Sequence, residues 1–261
     1  MAEPPVVPLP AAFLRAPIAH RALHDLRAGR PENSLAAVRA AVAAGYGIEI
    51  DIQPSADGVP MVFHDHDLPR LAGRQGAVHD FPAAELASMP LQGTAERIPT
   101  LAEVLAAVAG RVAVLIEVKD QTAMGAAGTG PFEAAIARVL AASAGPVAVM
   151  SYNPHTVAAL AEAAPAVARG LTVGGPVDST YGGLPADRAL HLADAGDFDR
   201  VGASFISCDR QYLHRPAIVR LKARGVPVLC WTIRSPGQEA EARRIADNVT
   251  FEGYPADIPA A

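Results

Sequence analysis

Hydrophobic and β-branched residues recur along the chain in short runs, and longer alanine-rich stretches of helical composition separate most of these runs. The short runs are typical of buried strands. They lie near residues 17–20, 47–52, 111–119, 146–151, 167–173, 203–208, 226–232 and 248–251. Strands that alternate with helices predict parallel βαβ units. Eight such units in 261 residues predict an α/β fold, the (β/α)8 or TIM barrel.

One stretch, at about 53–98, breaks this alternation after the second strand. It is predicted to be a hairpin with its turn at 56–58, followed by an irregular, glycine-dotted segment. An insertion on this side of the strand would lie over the mouth of the barrel, where active sites of this fold occur. We predict one catalytic domain over residues 1–261 that carries this small insertion.

The two ends of the chain are less regular than its middle. The chain ends soon after the eighth strand, so the last outer helix is expected to be short or absent. The first fourteen residues are expected either to cover that gap or to be loose. Two helix starts are signalled, one by residues 31–34 and one by the capping box of Thr100 and Glu103. Glu32 and Asn33 are expected to cap the first helix, with support of a functional site as the alternative.

Composition narrows the classes of function. The formal charge is −5 and no basic run exceeds two residues, so nucleic acid is not an expected partner. No apolar stretch approaches the roughly 20 residues that span a bilayer, so no stable membrane insertion is expected. The first ten residues lack the pattern of a secretory signal. Two cysteines form no disulfide framework, and a cytoplasmic protein is expected.

Acidic residues on two strands are the clearest chemical signal. Glu49 and Asp51 alternate with isoleucines, so both carboxylates point to one face of the second strand. Glu117 and Lys119 share a face of the next strand in the same way. Buried carboxylates are costly unless a cation meets them. The pattern suggests a metal and an anionic substrate, with an internal salt-bridge cluster as the alternative.

Several segments together resemble the glycerophosphodiester phosphodiesterase family. They are IAHR at 18–21, the long stretch 31–65 that contains GIEIDI and VFHD, LIEVKD at 115–120 and LCWTI at 229–233. The resemblance covers nearly the whole chain in order. It implies a (β/α)8 barrel that hydrolyses small-molecule glycerophosphodiesters to glycerol 3-phosphate and an alcohol, using two histidines and a divalent cation held by three carboxylates.

The resemblance assigns roles to eight residues. These are the catalytic histidines His20 and His64, the metal ligands Glu49, Asp51 and Glu117, the phosphate-binding Arg21 and Lys119, and Trp231, which lines the glycerol side of the site. Three carboxylates suit one hard cation, Mg²⁺ or Ca²⁺, with Mn²⁺ as a further candidate. Two histidines can share proton transfer near neutral pH. The attacking oxygen is either water or the neighbouring glycerol hydroxyl, which would give a cyclic phosphate first.

The chain departs from the family pattern in a few places. Ala22 stands where the family usually has glycine, so the first loop is expected to be shaped differently. Gly253 stands where many members have aspartate, with Glu252 one position earlier. Arg21 has a simpler alternative role as the partner of Glu32. Among functions, a related barrel phosphodiesterase that acts on lipids ranks second, and a non-catalytic barrel that binds a phosphorylated ligand is the other alternative.

Overall fold

The structure is a computed structural model that describes residues 6–122, 130–176 and 183–259. Its strands are β1 (Ile18–Ala19), β2 (Gly47–Pro54), β3 (Pro60–Val62), β4 (Val114–Val118), β5 (Val147–Ser151), β6 (Ala168–Val173), β7 (Phe205–Asp209), β8 (Val228–Ile233) and β9 (Asn248–Phe251). Its α-helices are α1 (Leu35–Ala44), α2 (Pro69–Ala72), α3 (Ala83–Leu86), α4 (Leu101–Val108), α5 (Pro131–Ala141), α6 (Pro154–Ala163), α7 (Ala186–Ala193), α8 (Pro216–Ala223) and α9 (Pro236–Ala242).

Eight parallel strands close into a barrel. The hydrogen-bonded order runs from β1 through β9, β8, β7, β6, β5, β4 and β2, and β2 pairs again with β1. Helices follow most of the strands, and β3 lies outside the barrel as the antiparallel partner of β2. The predicted (β/α)8 barrel is therefore confirmed. The predicted hairpin is also present, with Gly58 in its turn at φ 76°.

Local signals explain where the first outer helices begin. Thr100 and Glu103 form the predicted capping box at the start of α4. At the start of α1, however, Ser34 is the N-cap and its hydroxyl accepts the backbone N–H of Ala37. The expectation that Glu32 and Asn33 cap this helix is wrong, because both side chains point to charged partners at the barrel mouth instead.

The N-terminal segment closes the amino end of the barrel. Leu9 and Phe13 pack with Leu115, Phe205 and Leu229 in one buried cluster. Asn248 fixes this segment by donating its amide N–H groups to the carbonyls of residues 13 and 16, each at 2.7 Å. Residues 6–14 are therefore packed against the barrel and not loose. They fill one end of the barrel, however, and do not take the place of the missing outer helix. Residues 1–5 lie outside the described part.

The segment after β2 carries small elements and an apolar cluster of its own. It contains β3, α2 and α3, and its buried side chains include Met61, Phe63, Leu68, Leu71, Val78 and Leu86. Between β9 and residue 259 the described residues contain no helix, as expected. That the whole chain forms one domain stays a prediction, which limited proteolysis would test. Within the described ranges, no helix combines the length and the apolar character that crossing a bilayer requires.

Candidate functional site

Three carboxylates meet inside the barrel where its strands end. Glu49 and Asp51 lie on β2, and Glu117 lies on β4 directly beside Asp51 in the strand register. Inward-facing residues alternate with outward-facing ones along barrel strands, so the three side chains share the interior. All three are buried, and each offers an oxygen within 4.8 Å of the other two. The strand alternation that predicts this convergence in the sequence is thus matched by the geometry.

Two basic side chains face this acidic cluster. The Lys119 Nζ lies 2.7 Å from the Asp51 Oδ1 and 2.6 Å from the Glu117 Oε1. The Arg21 Nε lies 3.8 Å from the Asp51 Oδ2. Glu49 accepts the backbone N–H of Arg21 at 2.9 Å, but within the described residues it has no ion pair. The cluster therefore holds more negative than positive charge.

The charges in the cluster shift one another's protonation. Burial raises the pKa of Glu49 well above its usual value, and the charges of Asp51 and Glu117 add to that rise. Burial would also raise the pKa of Asp51, but Lys119, His64 and Arg21 outweigh it and lower that pKa. Burial would lower the pKa of Lys119, but its two carboxylate partners raise it instead. Asp51 and Lys119 are thus held as an ion pair, whereas Glu49 is left under repulsion.

The donor set fits a hard divalent cation. Carboxylate oxygens are the ligands that Mg²⁺ and Ca²⁺ prefer, and three of them converge here. The excess negative charge and the buried Glu49 without an ion pair in the described chain are features that a bound cation would relieve. The triad can therefore bind a metal.

The loop after β1 brings Arg21 to the cluster. Arg21 and Ala22 both adopt left-handed backbone conformations, with φ of 51° and 64°. The N–H of Ala22 donates to the carbonyl oxygen of Glu49 at 2.9 Å, which ties the loop to β2. Glycine adopts such φ values freely, whereas alanine resists them by about 1 kcal/mol. Ala22 therefore accepts a backbone geometry that glycine would adopt at lower cost.

His64 follows β3 and lies close enough to the cluster for its charge to act on Asp51. Its Nδ1 lies 2.7 Å from the Oδ1 of Asp65. Gln53, on β2, donates to the carbonyls of residues 63 and 65 at 2.9 and 2.5 Å and so holds the backbone around the histidine. Burial lowers the pKa of His64, and this outweighs the opposite effect of Asp51.

His20 ends β1 and has a carboxylate partner of its own. Its Nδ1 lies 2.5 Å from the Oε2 of Glu252, which directly follows β9. The Oε1 of Glu252 accepts the Nε–H of Arg234 at 2.7 Å. The Nε2 of His24 lies 3.6 Å from the Oε2 that faces His20. Burial would raise the pKa of Glu252, but the hydrogen bond from His20 and the nearby His24 and Arg234 lower it.

Trp231 lies near the end of β8, and its side chain is half-buried. Its indole N–H donates to the carbonyl oxygen of Ser207 at 3.0 Å. The ring of Tyr152 meets it edge-on, with centroids 6.1 Å apart. Trp231 and Tyr152 are therefore neighbours.

The structure also shows which side chains hold the predicted site residues. Asn33 donates to the Asp51 Oδ2 at 2.9 Å, and Glu32 accepts the Arg21 Nη1 at 2.7 Å. Asp65 and Glu252 each hold a histidine. The sequence offers the Arg21–Glu32 pair and a supporting role for Asn33 as alternatives, and the structure shows both contacts. The position of Asp65 beside His64 and the unusual Glu252 beside Gly253 are further signals in the sequence. Arg70, which binds both Glu32 and Asp65, carries no such signal.

Comparison with known proteins identifies the family. The model of the glycerophosphoryl diester phosphodiesterase family matches residues 20–254, and the chain belongs to this family. It is 36% identical over 97 residues to a glycerophosphodiester phosphodiesterase of Caldanaerobacter subterraneus subsp. tengcongensis. It is 34% identical over 99 residues to glycerophosphodiester phosphodiesterase 1 of Homo sapiens. These matches cover 34% of the chain in both cases, and only 40% and 29% of the two relatives.

Solved structures agree over much more of the chain. The phosphodiesterase of Oleispira antarctica, determined in complex with the product sn-glycerol-3-phosphate, is 25% identical with a TM-score of 0.72. That match covers 94% of this chain and 95% of the other. The glycerophosphodiester phosphodiesterase of Thermotoga maritima matches with a TM-score of 0.68 and 22% identity, over 90% and 94% of the two chains. The similarity to the Thermotoga maritima structure supports the fold alone.

Proposed function

We propose that this chain is a metal-dependent phosphoric diester hydrolase that cleaves glycerophosphodiesters to glycerol 3-phosphate and an alcohol. The observation that carries the proposal is the meeting of three buried carboxylates with Lys119 and Arg21 at the mouth of the barrel. The family match over residues 20–254 gives that cluster its chemical context. The product bound to the Oleispira antarctica phosphodiesterase supports a small phosphorylated glycerol as the ligand class.

Glu49, Asp51 and Glu117 would hold one divalent cation, either Mg²⁺ or Ca²⁺, with Mn²⁺ as the further candidate. When bound, such a cation supplies a Lewis acid that polarises a phosphate oxygen. Asn33 supports this ligand set, because its amide holds one oxygen of Asp51 in place. All three carboxylates are buried, and the low polarity of such surroundings would strengthen their attraction to a cation.

Lys119 and Arg21 would bind the phosphate group. Both are cations at neutral pH, and both lie within 4.0 Å of Asp51. A phosphodiester gains negative charge on the equatorial oxygens as the new bond forms, so fixed positive charge stabilises that state more than the ground state. Trp231, with Tyr152 beside it, would pack against the glycerol group.

His20 and His64 would transfer the protons. Each ring directs Nδ1 to a carboxylate, Glu252 in one case and Asp65 in the other. An ionised carboxylate only accepts hydrogen bonds, so Nδ1 carries the proton in both rings. The Nε2 atom of each ring is then left to exchange a proton with the attacking oxygen or the leaving alcohol. Glu252 and Asp65 thereby set the tautomer and orientation of the two histidines.

The proposal is tested by the substrates that the purified chain cleaves. We expect release of glycerol 3-phosphate from soluble glycerophosphodiesters with choline, ethanolamine or inositol headgroups, and little cleavage of diacyl phospholipid vesicles. Equal kcat/KM for vesicles and deacylated substrates would instead favour the lipid-active alternative. A cytoplasmic location stays a prediction, which fractionation of cells that express the tagged chain would test.

A further inference from the structure

Arg70 joins two separate parts of the barrel mouth. It lies in α2, within the segment inserted after β2, and its side chain is 45% exposed. Its Nε and Nη2 donate to the two oxygens of Asp65 at 2.6 and 2.7 Å. Its Nη1 and Nη2 donate to the two oxygens of Glu32 at 3.0 and 2.9 Å. One guanidinium thus binds two carboxylates in a bidentate manner.

Both carboxylates have a second partner in the site. Asp65 holds the Nδ1 of His64 at 2.7 Å. Glu32 holds the Nη1 of Arg21 at 2.7 Å, and Arg21 in turn lies 3.8 Å from Asp51. A chain of contacts therefore runs from His64 through Asp65, Arg70 and Glu32 to Arg21. It ties the loop after β3 to the loop after β1.

The geometry of this bridge is more specific than that of an ordinary surface ion pair. Exposed ion pairs contribute about 0–1 kcal/mol, because water screens them and long side chains lose freedom. Paired hydrogen bonds from the planar guanidinium fork also fix the direction of a carboxylate, which a single point charge does not. Glu32 and Asp65 are only 12% and 24% exposed, so their hydrogen bonds to Arg70 are less screened by water than those of an ordinary surface pair.

We propose that Arg70 is a positioning residue that fixes Asp65 and Glu32, and through them His64 and Arg21. The inference rests on the proposed function for its effect on turnover. The inserted segment, which is predicted to lie over the barrel mouth, would then also help to fix the geometry of the site. Loss of Arg70 should lower turnover through His64. The contact of Arg21 with Asp51 does not involve Arg70 and should limit the change in substrate affinity.

The same segment offers a matched control. Arg74 is similarly exposed, at 49%, and its Nη2 donates to a single oxygen of Glu85 at 2.7 Å. Its guanidinium also lies over the ring of Phe81, 4.7 Å from the centroid. Neither Glu85 nor Phe81 contacts a predicted site residue in the described chain. Arg74→Met therefore removes a comparable arginine without touching the bridge.

The kinetic test compares Arg70→Met, Arg70→Lys and Arg74→Met on a soluble glycerophosphodiester. We expect Arg70→Met to lower kcat about 10–100-fold with less than a threefold change in KM, and Arg74→Met to stay within twofold of the parent. Arg70→Lys should recover only part of kcat, because one ammonium cannot bind both carboxylates in a bidentate manner. Unchanged kcat in Arg70→Met, or a rise in KM alone, would overturn the positioning role.

A second measurement tests the bridge without any substrate. Imidazole signals in NMR spectra of histidine-labelled protein report the tautomer of His64, which is assigned from the signal lost in His64→Gln. We expect Arg70→Met to shift the His64 signals and Arg74→Met to leave them in place. Identical His64 signals in both variants, with folding verified by thermal unfolding, would refute the proposal. This outcome is independent of the proposed function, which fails if the parent chain cleaves no glycerophosphodiester.

Discussion

Lys119 and Asp51 form an ion pair inside the barrel, with the Lys119 Nζ 2.7 Å from the Asp51 Oδ1 and both side chains largely removed from water. The same ammonium reaches Glu117 at 2.6 Å. A buried pair of this kind adds little stability by itself, because removing two charges from water offsets their attraction. Removal of one member of the pair is costly, because the other charge then remains buried without a partner.

Replacement of Lys119 by Met should therefore lower both stability and activity. We expect the free energy of unfolding to fall by about 3–5 kcal/mol, as for other broken buried pairs. We also expect kcat to fall and KM to rise together, because the phosphate loses a cation in the ground state and in the transition state. Urea unfolding and steady-state kinetics measure the two effects.

Lys222→Met is the control for this prediction. Lys222 pairs with Asp247 near the outer surface, and its side chain is 35% exposed. Loss of such a pair should cost about 1 kcal/mol or less and leave kcat unchanged. Equal destabilisation by the two substitutions would mean that the Lys119 pair is not effectively buried.

Glu49→Gln should stabilise the metal-free protein while abolishing activity. The folded-state pKa of Glu49 is raised, so its ionisation opposes folding as pH rises above the unfolded-state value of about 4.3. A neutral amide removes that repulsion, and we expect the free energy of unfolding to rise at pH 7. Urea unfolding in EDTA measures the gain. Calcium or magnesium should raise the thermal midpoint of the parent chain but not of Glu49→Gln, and equal shifts would argue against a role of Glu49 as ligand.

His20→Ala and His64→Ala should each lower kcat by roughly 10²–10⁴-fold. The double variant should lose little more, because two groups that act as one unit have non-additive effects. The pH–rate profile of the parent chain should be bell-shaped. His66→Ala serves as the control, because His66 is exposed and lies two positions after His64. Near-parental turnover in His64→Ala would assign the second proton transfer to another residue, with His66 as the first candidate.

Asp65 should make a contribution to stability that disappears in acid. Burial would raise its pKa, but hydrogen bonds from Arg70 and His64 lower it to about 2. Because the folded-state pKa is depressed, the stabilisation is complete above the unfolded-state value of about 3.9 and is lost as pH falls towards about 2. After allowance for solvent screening, the ionised Asp65 contributes about 1 kcal/mol to the free energy of unfolding.

Urea unfolding of the parent chain and Asp65→Asn between pH 6 and pH 2.5 tests this dependence. The stability difference between the two proteins should shrink as pH falls below about 4. Asp67→Asn, at an exposed position two residues further on, is the control substitution. A pH-independent difference between the parent chain and Asp65→Asn would contradict the assignment.

Short-range patterns allowed the barrel and its acidic cluster to be predicted. Alternation along β2 and β4 places Glu49, Asp51 and Glu117 on interior faces, and parallel pairing then brings them together. This alternation depends only on the two-residue repeat of side-chain direction along a β-strand. It therefore appears in the sequence without knowledge of any long-range contact.

The sequence contains no comparable signal for contacts between loops that lie far apart along the chain. His20 and Glu252 are 232 positions apart and meet only because the barrel closes between β9 and β1. Phe13 lies in a 3-10 helix of only four residues, too short for a periodic pattern to indicate that it would fill the barrel end. Arg70 lies in a helix of four residues, too short for a sequence pattern to define its direction. Glu32 and Asn33 resembled helix caps by type, but the nearby charges determined their orientation.

The most direct test of the central claim is the release of glycerol 3-phosphate from one soluble glycerophosphodiester by the purified chain, before and after removal of metal by EDTA and dialysis. We predict that the activity of the parent chain is lost on chelation and returns with Mg²⁺, Ca²⁺ or Mn²⁺. Glu49→Gln should show no activity with any of these ions. Full activity of the dialysed protein in excess EDTA would contradict the account.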